Sequence, residues 1–207
     1  MPPKPPILVL ATQNAGKIAE IRQILAGIDL RVVSLEDYPD IAEIVEDGHT
    51  FAENAVKKAV TVALATGELA LADDSGLVVD ALDGRPGVQS ARYGPTSEAR
   101  NEKLLGELKG VEPQRRTARF VCVAALADPE GRAVTREGAV EGRIAESPSG
   151  AGGFGYDPVF HLPARNCTMA EISREEKNAI SHRGKAFRAI REVLENVLTE
   201  HNGRIPM

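Results

Sequence analysis

Tryptophan is absent from this 207-residue chain, and other aromatics are scarce, with five Phe and three Tyr. The core must then be built from Val, Ile, Leu and Ala, so a ring near a loop tip carries more information than usual. Cysteine is nearly missing too. Cys122 lies inside Phe-Val-Cys-Val-Ala-Ala, where it reads as a small buried hydrophobe. Cys167 has no His or Cys at metal-ligand spacing. This usage fits a reducing compartment, and the cytoplasm is the expected location. A basic excess is also lacking: Lys and Arg total 25 against 30 Asp and Glu, a net charge of −5. That disfavours a surface built to hold DNA or RNA, so no nucleic-acid partner is expected. No stretch approaches the roughly 20 apolar residues of a membrane span, so no membrane partner is expected either. The run Ile7 to Ala11 is too short for a secretory signal and has no small-residue cleavage site after it.

What is present suits a globular protein. Apolar residues make up 43%, more than intrinsic disorder allows, and only the proline-rich start, up to Pro5, is expected to be disordered. Ile7 to Ala11 reads as a buried strand, and Ile18, Ile21, Ile24 and Leu25 follow at helical spacing. Leu30 to Leu35 suits a second strand. Phe51, Ala55, Ala59, Val62 and Ala63 share a helix face that ends at a C-cap, Gly67. Short strands are expected at Leu69–Ala72 and Leu77–Leu82, with Asp73-Asp74-Ser75-Gly76 as a polar break between them. Glu98 to Leu108 reads as a helix. Ala118 to Ala127 and Ala133 to Ile144 read as strands joined by the turn Asp128-Pro-Glu-Gly131. Ser173 and Glu176 form a capping box, and an amphipathic helix closes the chain. Early alternation of strands and helices with a late hairpin predicts an α/β domain with a mixed twisted sheet flanked by helices. No linker interrupts residues 1–207, which read as a single folding unit with room for two lobes around a cleft.

Four segments carry candidate chemistry. Thr12, Gln13, Asn14, Ala15, Gly16 and Lys17 form a strand-to-helix turn. Backbone N–H groups at a helix start bind anions, and the hydroxyl, amide and ammonium add donors, although a plain capped helix would also explain them. The Walker spacing is absent. Asp73-Asp74-Ser75-Gly76 offers two carboxylates after an apolar strand, of which alternation points one to each side. They suit Mg²⁺, a hard cation that takes one or two carboxylates plus substrate phosphates; a polar turn is the bland alternative. Ser149 to Asp157 is glycine-rich and holds Phe154, Gly155, Tyr156 and Asp157. Here glycine lets a ligand approach the backbone, the two rings can stack on a planar base, and Asp157 can accept from a base edge; a flexible surface loop is the alternative. Ser181 is a natural N-cap that places His182 and Arg183 in the first turn of the last helix, where cations oppose the dipole and gain little structurally. Lys177 lies one turn before, and by default reads as a solvated charge. His49, His161 and His201 have no ligand-like partner at local spacing.

In order along the chain, these segments resemble the inosine triphosphate pyrophosphatase family. The resemblance runs from Ile7 to Arg183 through Thr12-Gln-Asn-Ala-Gly-Lys17, Phe51-Ala-Glu-Asn-Ala55, Ala72-Asp-Asp-Ser-Gly-Leu77 and Pro86-Gly-Val-Gln-Ser-Ala-Arg-Tyr93. It continues through Gly152-Gly-Phe-Gly-Tyr-Asp-Pro158 and Ser181-His-Arg-Gly184. It implies two lobes with a central nucleotide cleft, a homodimer, and Mg²⁺-dependent hydrolysis of ITP, dITP and XTP to the monophosphate and pyrophosphate. By resemblance, the turn from Thr12 to Lys17 holds phosphates, with Lys58 a further phosphate contact. Asp74 is the catalytic base and a metal ligand, and Ser75 contacts substrate. Phe154, Gly155, Tyr156, Asp157, Lys177, His182 and Arg183 meet the nucleoside and base. Two departures stand out. Gln13 occupies a position where the family often has Gly, and the second metal acid aligns ambiguously: Glu46 is the choice, with Glu43 and Asp47 as alternatives. Rival expectations are a Maf-like pyrophosphatase for other modified nucleotides and a nucleotide-binding regulator that does not cleave.

Overall fold

The computed structural model describes residues 5–200 and 203–206. The expectation for residues 1–4 of the proline-rich start, and for His201, lies outside the described residues.

The described residues form a seven-stranded sheet and five α-helices in the order β1 (Ile7–Leu10), α1 (Ala15–Ile24), β2 (Arg31–Ser34), α2 (Phe51–Thr66), β3 (Leu69–Val79), α3 (Ser97–Glu107), β4 (Thr117–Ala127), β5 (Ala133–Ile144), β6 (Phe160–Leu162), β7 (Cys167–Thr168), α4 (Arg174–Ile180) and α5 (His182–Glu200). The strand order is β2-β1-β3-β4-β5-β6-β7. β1 pairs in parallel with β2 and β3, while β6 pairs antiparallel with β5 and β7. The sheet is therefore mixed, as expected from a chain that begins with crossover helices and ends with hairpin connections. Among the described residues, no helix is long and apolar enough to cross a membrane.

Backbone contacts divide the chain into two compact units. The first comprises Met1–Asp74, Val123–Glu137 and Ala186–Met207, and the second Ser75–Cys122 and Gly138–Lys185. Each unit has its own core. In the first, Ala55, Ala59, Val62 and Ala63 of α2 pack with Val9, Val33, Ala70, Ala72, Val123 and Ala125. Alanine dominates the helix side, so α2 can lie close against the strands. In the second unit the core is larger-grained, with Leu77, Val79, Leu104, Leu108, Phe120, Phe160 and Met169.

Local signals set most element ends. The Thr50 hydroxyl accepts from Glu53 N–H at 3.1 Å to start α2, and Gly67, at φ +70°, ends it in the left-handed conformation that favours glycine. Ser173 and Glu176 make the predicted reciprocal capping box on α4, and the Ser181 hydroxyl accepts from Gly184 N–H at 3.0 Å at the head of α5. One expectation fails. Asp73-Asp74-Ser75-Gly76 does not break the strand; β3 runs unbroken through it to Val79. Two buried carboxylates are tolerated mid-strand because partners from other elements take them up.

Candidate functional site

The first unit gathers charge at the C-terminal end of its part of β3. Asp73 and Asp74 are both buried, at 1% and 6% exposure. Being consecutive strand residues, they face different neighbours. The Asp73 carboxylate pairs with Lys17 Nζ at 3.0 Å. The Asp74 carboxylate accepts from the Asn54 amide at 2.9 Å. Lys58, four residues after Asn54 on the same face of α2, donates to the Asp73 carbonyl at 2.7 Å and forms an ion pair with Glu46. Burial pushes the Asp74 carboxyl above the ordinary carboxylate range; the nearby Glu46 charge pushes the same way, against Lys58, the Asn54 amide and Lys17. Of the three acids weighed for the second metal position, Glu43 is exposed and Asp47 binds Lys57 at the surface. Glu46 is the one that meets Lys58 and acts on Asp74.

The turn from Thr12 to Lys17 precedes this cluster. The Asn14 side chain caps α1 by accepting from Lys17 N–H at 3.1 Å, and the Thr12 hydroxyl accepts from Asn14 N–H at 3.2 Å. Gln13, Asn14 and Ala15 are exposed, while the N–H groups of Asn14 and Lys17 are taken up by the turn's own side chains. The turn is thus a capped helix start on an exposed segment.

The second unit holds the other candidates. Its glycine-rich loop is folded around one carboxylate: Asp157 accepts from Phe154 N–H at 2.8 Å and pairs with Lys177 Nζ at 2.7 Å, with both side chains almost fully buried. Gly153, at φ +70°, leaves no room for a side chain, since a Cβ there would sit 2.1 Å from the Asp157 carboxylate. Asp157 is committed to shaping the loop. Phe154 is left 37% exposed, with Lys177 Nζ 4.4 Å and the Arg183 guanidinium 5.5 Å from its ring centre. Arg183 also donates to the Ser75 hydroxyl at 2.9 Å. His182 stacks on Phe120 at 4.7 Å. The expected pair of stacking rings reduces to one. Tyr156 is 5% exposed, lies in the second core and donates its hydroxyl to the Ser90 carbonyl at 2.9 Å. A ring so enclosed offers no face to a ligand, and Phe154 is the more exposed of the two. Lys177, read locally as a solvated charge, is 3% exposed.

A model of the Ham1 family matches residues 8–193. The chain belongs to the Ham1 family. It is 54% identical over 190 residues to a dITP/XTP pyrophosphatase of Geobacter sulfurreducens, a match covering 90% of this chain and 96% of that one. It is 52% identical over 193 residues to a dITP/XTP pyrophosphatase of Shouchella clausii, covering 92% and 97%. Among solved structures, a HAM1 protein from Coxiella burnetii superposes with a TM-score of 0.84 at 41% identity, covering 91% of this chain and 98% of that one. A nucleoside-triphosphatase, dITP/XTP pyrophosphatase, from Mycobacterium abscessus gives 0.74 at 42% identity, covering 89% and 98%.

Within this Ham1 chain, the first cluster suits a hard divalent cation. Glu46, Asp73 and Asp74 together carry more negative charge than Lys17 and Lys58 offset, and all the available donors are oxygens. Among the described residues, no three His, Cys, Asp or Glu side chains form a closed metal cage. Mg²⁺ does not need one, because it usually shares its shell between one or two carboxylates and substrate phosphates. Reading the sequence alone missed Asn54, Asp73 as the partner of Lys17, and Ser90. Ser90 joins Leu77 N–H, at 2.9 Å, to Tyr156 through its own hydroxyl and carbonyl. The signal for Asn54 was available: a polar residue beside the apolar stripe of α2.

Proposed function

We propose that this protein hydrolyses non-canonical purine nucleoside triphosphates, namely dITP, ITP and XTP, to the monophosphate and pyrophosphate. The observation that carries this reading is the Asp74 environment: a buried carboxylate with a raised pKa, set among Lys17, Lys58 and a second acid, in a chain more than half identical to dITP/XTP pyrophosphatases.

Asp74 and Glu46 would hold Mg²⁺, which when bound offsets triphosphate charge and acidifies a coordinated water. Asp74 accepts the proton of the attacking water, a task favoured by a pKa raised toward the working pH. The water oxygen bonds to the α-phosphorus while the bond from that phosphorus to the bridging oxygen breaks, and pyrophosphate leaves with that oxygen. Lys17 and Lys58 stabilise the charge gathering on the leaving group, and the exposed start of α1, from Thr12 through Gln13, Asn14, Ala15 and Gly16, binds phosphate oxygens. In the second unit, Phe154 stacks on the purine. Lys177, His182 and Arg183 supply donors to the oxygen at C6 of hypoxanthine or xanthine, with Ser75 steadying Arg183. Adenine presents an amino group there, which would face donors rather than an acceptor, and a polar mismatch of that kind discriminates strongly. Asp157 serves by holding Phe154 and Lys177 in place, and Gly155, whose carbonyl accepts from the Asn101 amide at 3.2 Å, continues the same loop.

A direct assay is pyrophosphate release from dITP, ITP, XTP, dATP, dGTP and modified pyrimidine triphosphates, with and without Mg²⁺. Rapid Mg²⁺-dependent release from the first three, with slow turnover of dATP, is the expected result. Equal turnover of dITP and dATP overturns the base-selection scheme, preference for modified pyrimidines points to Maf-like chemistry, and binding without release points to a regulator. The same reading places the enzyme in the cytoplasm as a homodimer, and light scattering that gives the mass of one chain overturns the dimer.

A further inference from the structure

We infer that Asn54 is a positioning residue that sets Asp74 and the Glu46 loop relative to each other through a single amide. The inference rests on the proposed function above, and concerns which side chain builds the cation-binding geometry.

The segment Glu46-Asp47-Gly48-His49 is laid along the first turns of α2 in reverse order. Lys58 pairs with Glu46, Lys57 donates to Asp47 at 2.6 Å, the Asn54 Oδ1 accepts from Gly48 N–H at 2.8 Å, and Glu53 accepts from His49 N–H at 2.7 Å. Two of these four also reach β3: Lys58 donates to the Asp73 backbone carbonyl at 2.7 Å, and Asn54 is the one that meets a carboxylate there, its Nδ2 donating to Asp74 Oδ2 at 2.9 Å. It is 1% exposed. The backbone of Gly48 can only donate here, so Oδ1 must face it and Nδ2 must turn to Asp74. The amide therefore has one orientation, and it grips a carboxylate oxygen on one side and the loop two residues from Glu46 on the other. Gly48 lets the loop come this close: a Cβ there would lie 2.7 Å from Asn54 Oδ1 and 2.8 Å from Glu53 Cβ. Mg²⁺ demands near-ideal ligand geometry, so a shared support for two acidic ligands bears on both affinity and turnover. Residues that orient metal ligands in this way commonly contribute 10–100-fold in affinity or activity.

The test compares wild type, Asn54→Ala and Gly48→Ala, the last keeping the Asn54 side chain but pushing the loop from it. Mn²⁺ binding is measured by calorimetry, steady-state kinetics with dITP and Mg²⁺ in parallel, and folding by thermal unfolding. Both variants are expected to weaken Mn²⁺ about 10–100-fold and to lower kcat by a similar factor, with KM for dITP changing less than about threefold. A merely structural role lowers the unfolding midpoint and leaves Mn²⁺ affinity and kcat at wild-type values, which overturns the inference. Should Asn54→Ala fail to fold, Gly48→Ala decides alone by the same criterion. Wild type that releases no pyrophosphate from dITP overturns the proposed function, whereas the Mn²⁺ comparison still decides the role of Asn54.

Discussion

The charged groups of the two units are balanced in opposite senses. In the first, three carboxylates, Glu46, Asp73 and Asp74, meet two lysines, Lys17 and Lys58. In the second, one carboxylate, Asp157, meets Lys177, and both Lys177 and Arg183 lie near the Phe154 ring. Buried charges seldom remain unbalanced, because an uncompensated ion loses several kcal/mol of hydration. Each imbalance therefore describes the ligand that would correct it. The first cluster sets three acids against two lysines, in keeping with the divalent cation proposed there; the second sets one acid against two cations, in keeping with the base oxygen proposed there.

The largest expected effect comes from the first cluster. Asp74→Asn keeps the size of the side chain and an acceptor for the Asn54 amide, but cannot take a proton from water. Pyrophosphate release from dITP at saturating Mg²⁺ should fall about 10²–10⁴-fold. Turnover near wild type would show that the acid excess serves only to bind a cation, and would move the catalytic base elsewhere.

The second cluster is tested through stability. Lys177→Met leaves Asp157 buried opposite an apolar side chain, and breaking such a pair costs about 3–5 kcal/mol. Denaturant titration should show a loss of that order, and the double variant Lys177→Met with Asp157→Asn should recover part of it because no charge is then stranded. Discrimination between dITP and dATP should fall in both variants if Lys177 also serves the base. A double variant that regains stability and keeps full discrimination would reduce Lys177 to a countercharge.

Much of this was visible in the chain. The α2 stripe with its Gly67 end, the turn at Asp128-Pro-Glu-Gly131 and the Ser181 cap rest on contacts within a few residues, and such contacts leave local patterns. The continuity of β3 did not. Asp73-Asp74-Ser75-Gly76 resembles a turn because carboxylates avoid buried strands unless paired, and the pairing groups, Lys17 and Asn54, lie 56 and 20 residues away in sequence. Asp157 was equally misleading. Its position among glycines suggested a ligand contact, whereas the positive φ of Gly153 and the N–H of Phe154 turn its carboxylate inward. Long-range electrostatic satisfaction decides these positions, and no periodicity reports it.

A carboxylate outside both clusters sharpens the contrast. Asp128 is fully buried in the first unit, as Asp74 nearly is, yet its pKa lies below the ordinary value. Burial alone would raise it, but N–H groups of Ile205, Arg132 and Glu130 and the Arg132 side chain all donate to it and together prevail. At Asp128 the fold's own donors outweigh burial, whereas at Asp74 burial prevails. A lowered folded-state pKa means that the unfolded chain binds more protons in the window between the two values. Stability from Asp128 is therefore complete above the unfolded pKa near 3.8 and is lost as pH falls through the folded value. Asp128→Asn should cost about 1–3 kcal/mol at neutral pH and flatten the acid limb of urea midpoints measured between pH 7 and 3. An unchanged acid limb would show that Asp128 does not carry it.

The smallest expected effect separates the two rings of the base end. Tyr156→Phe removes only the hydroxyl that donates to the Ser90 carbonyl, and leaves that buried acceptor one partner short. The cost should be about 1 kcal/mol in denaturant titration, with KM for dITP unchanged. Phe154→Ala should do the reverse, since a ring 37% exposed contributes little to the core and is the one proposed to stack on the base. Its loss should raise KM by about 5–150-fold, the equivalent of roughly 1–3 kcal/mol of base stacking, with little change in the unfolding midpoint. If Tyr156→Phe raises KM as much as Phe154→Ala does, the hydroxyl anchored on Ser90 is setting the loop for substrate. The second cluster would then depend on its core as closely as the first is proposed to depend on Asn54.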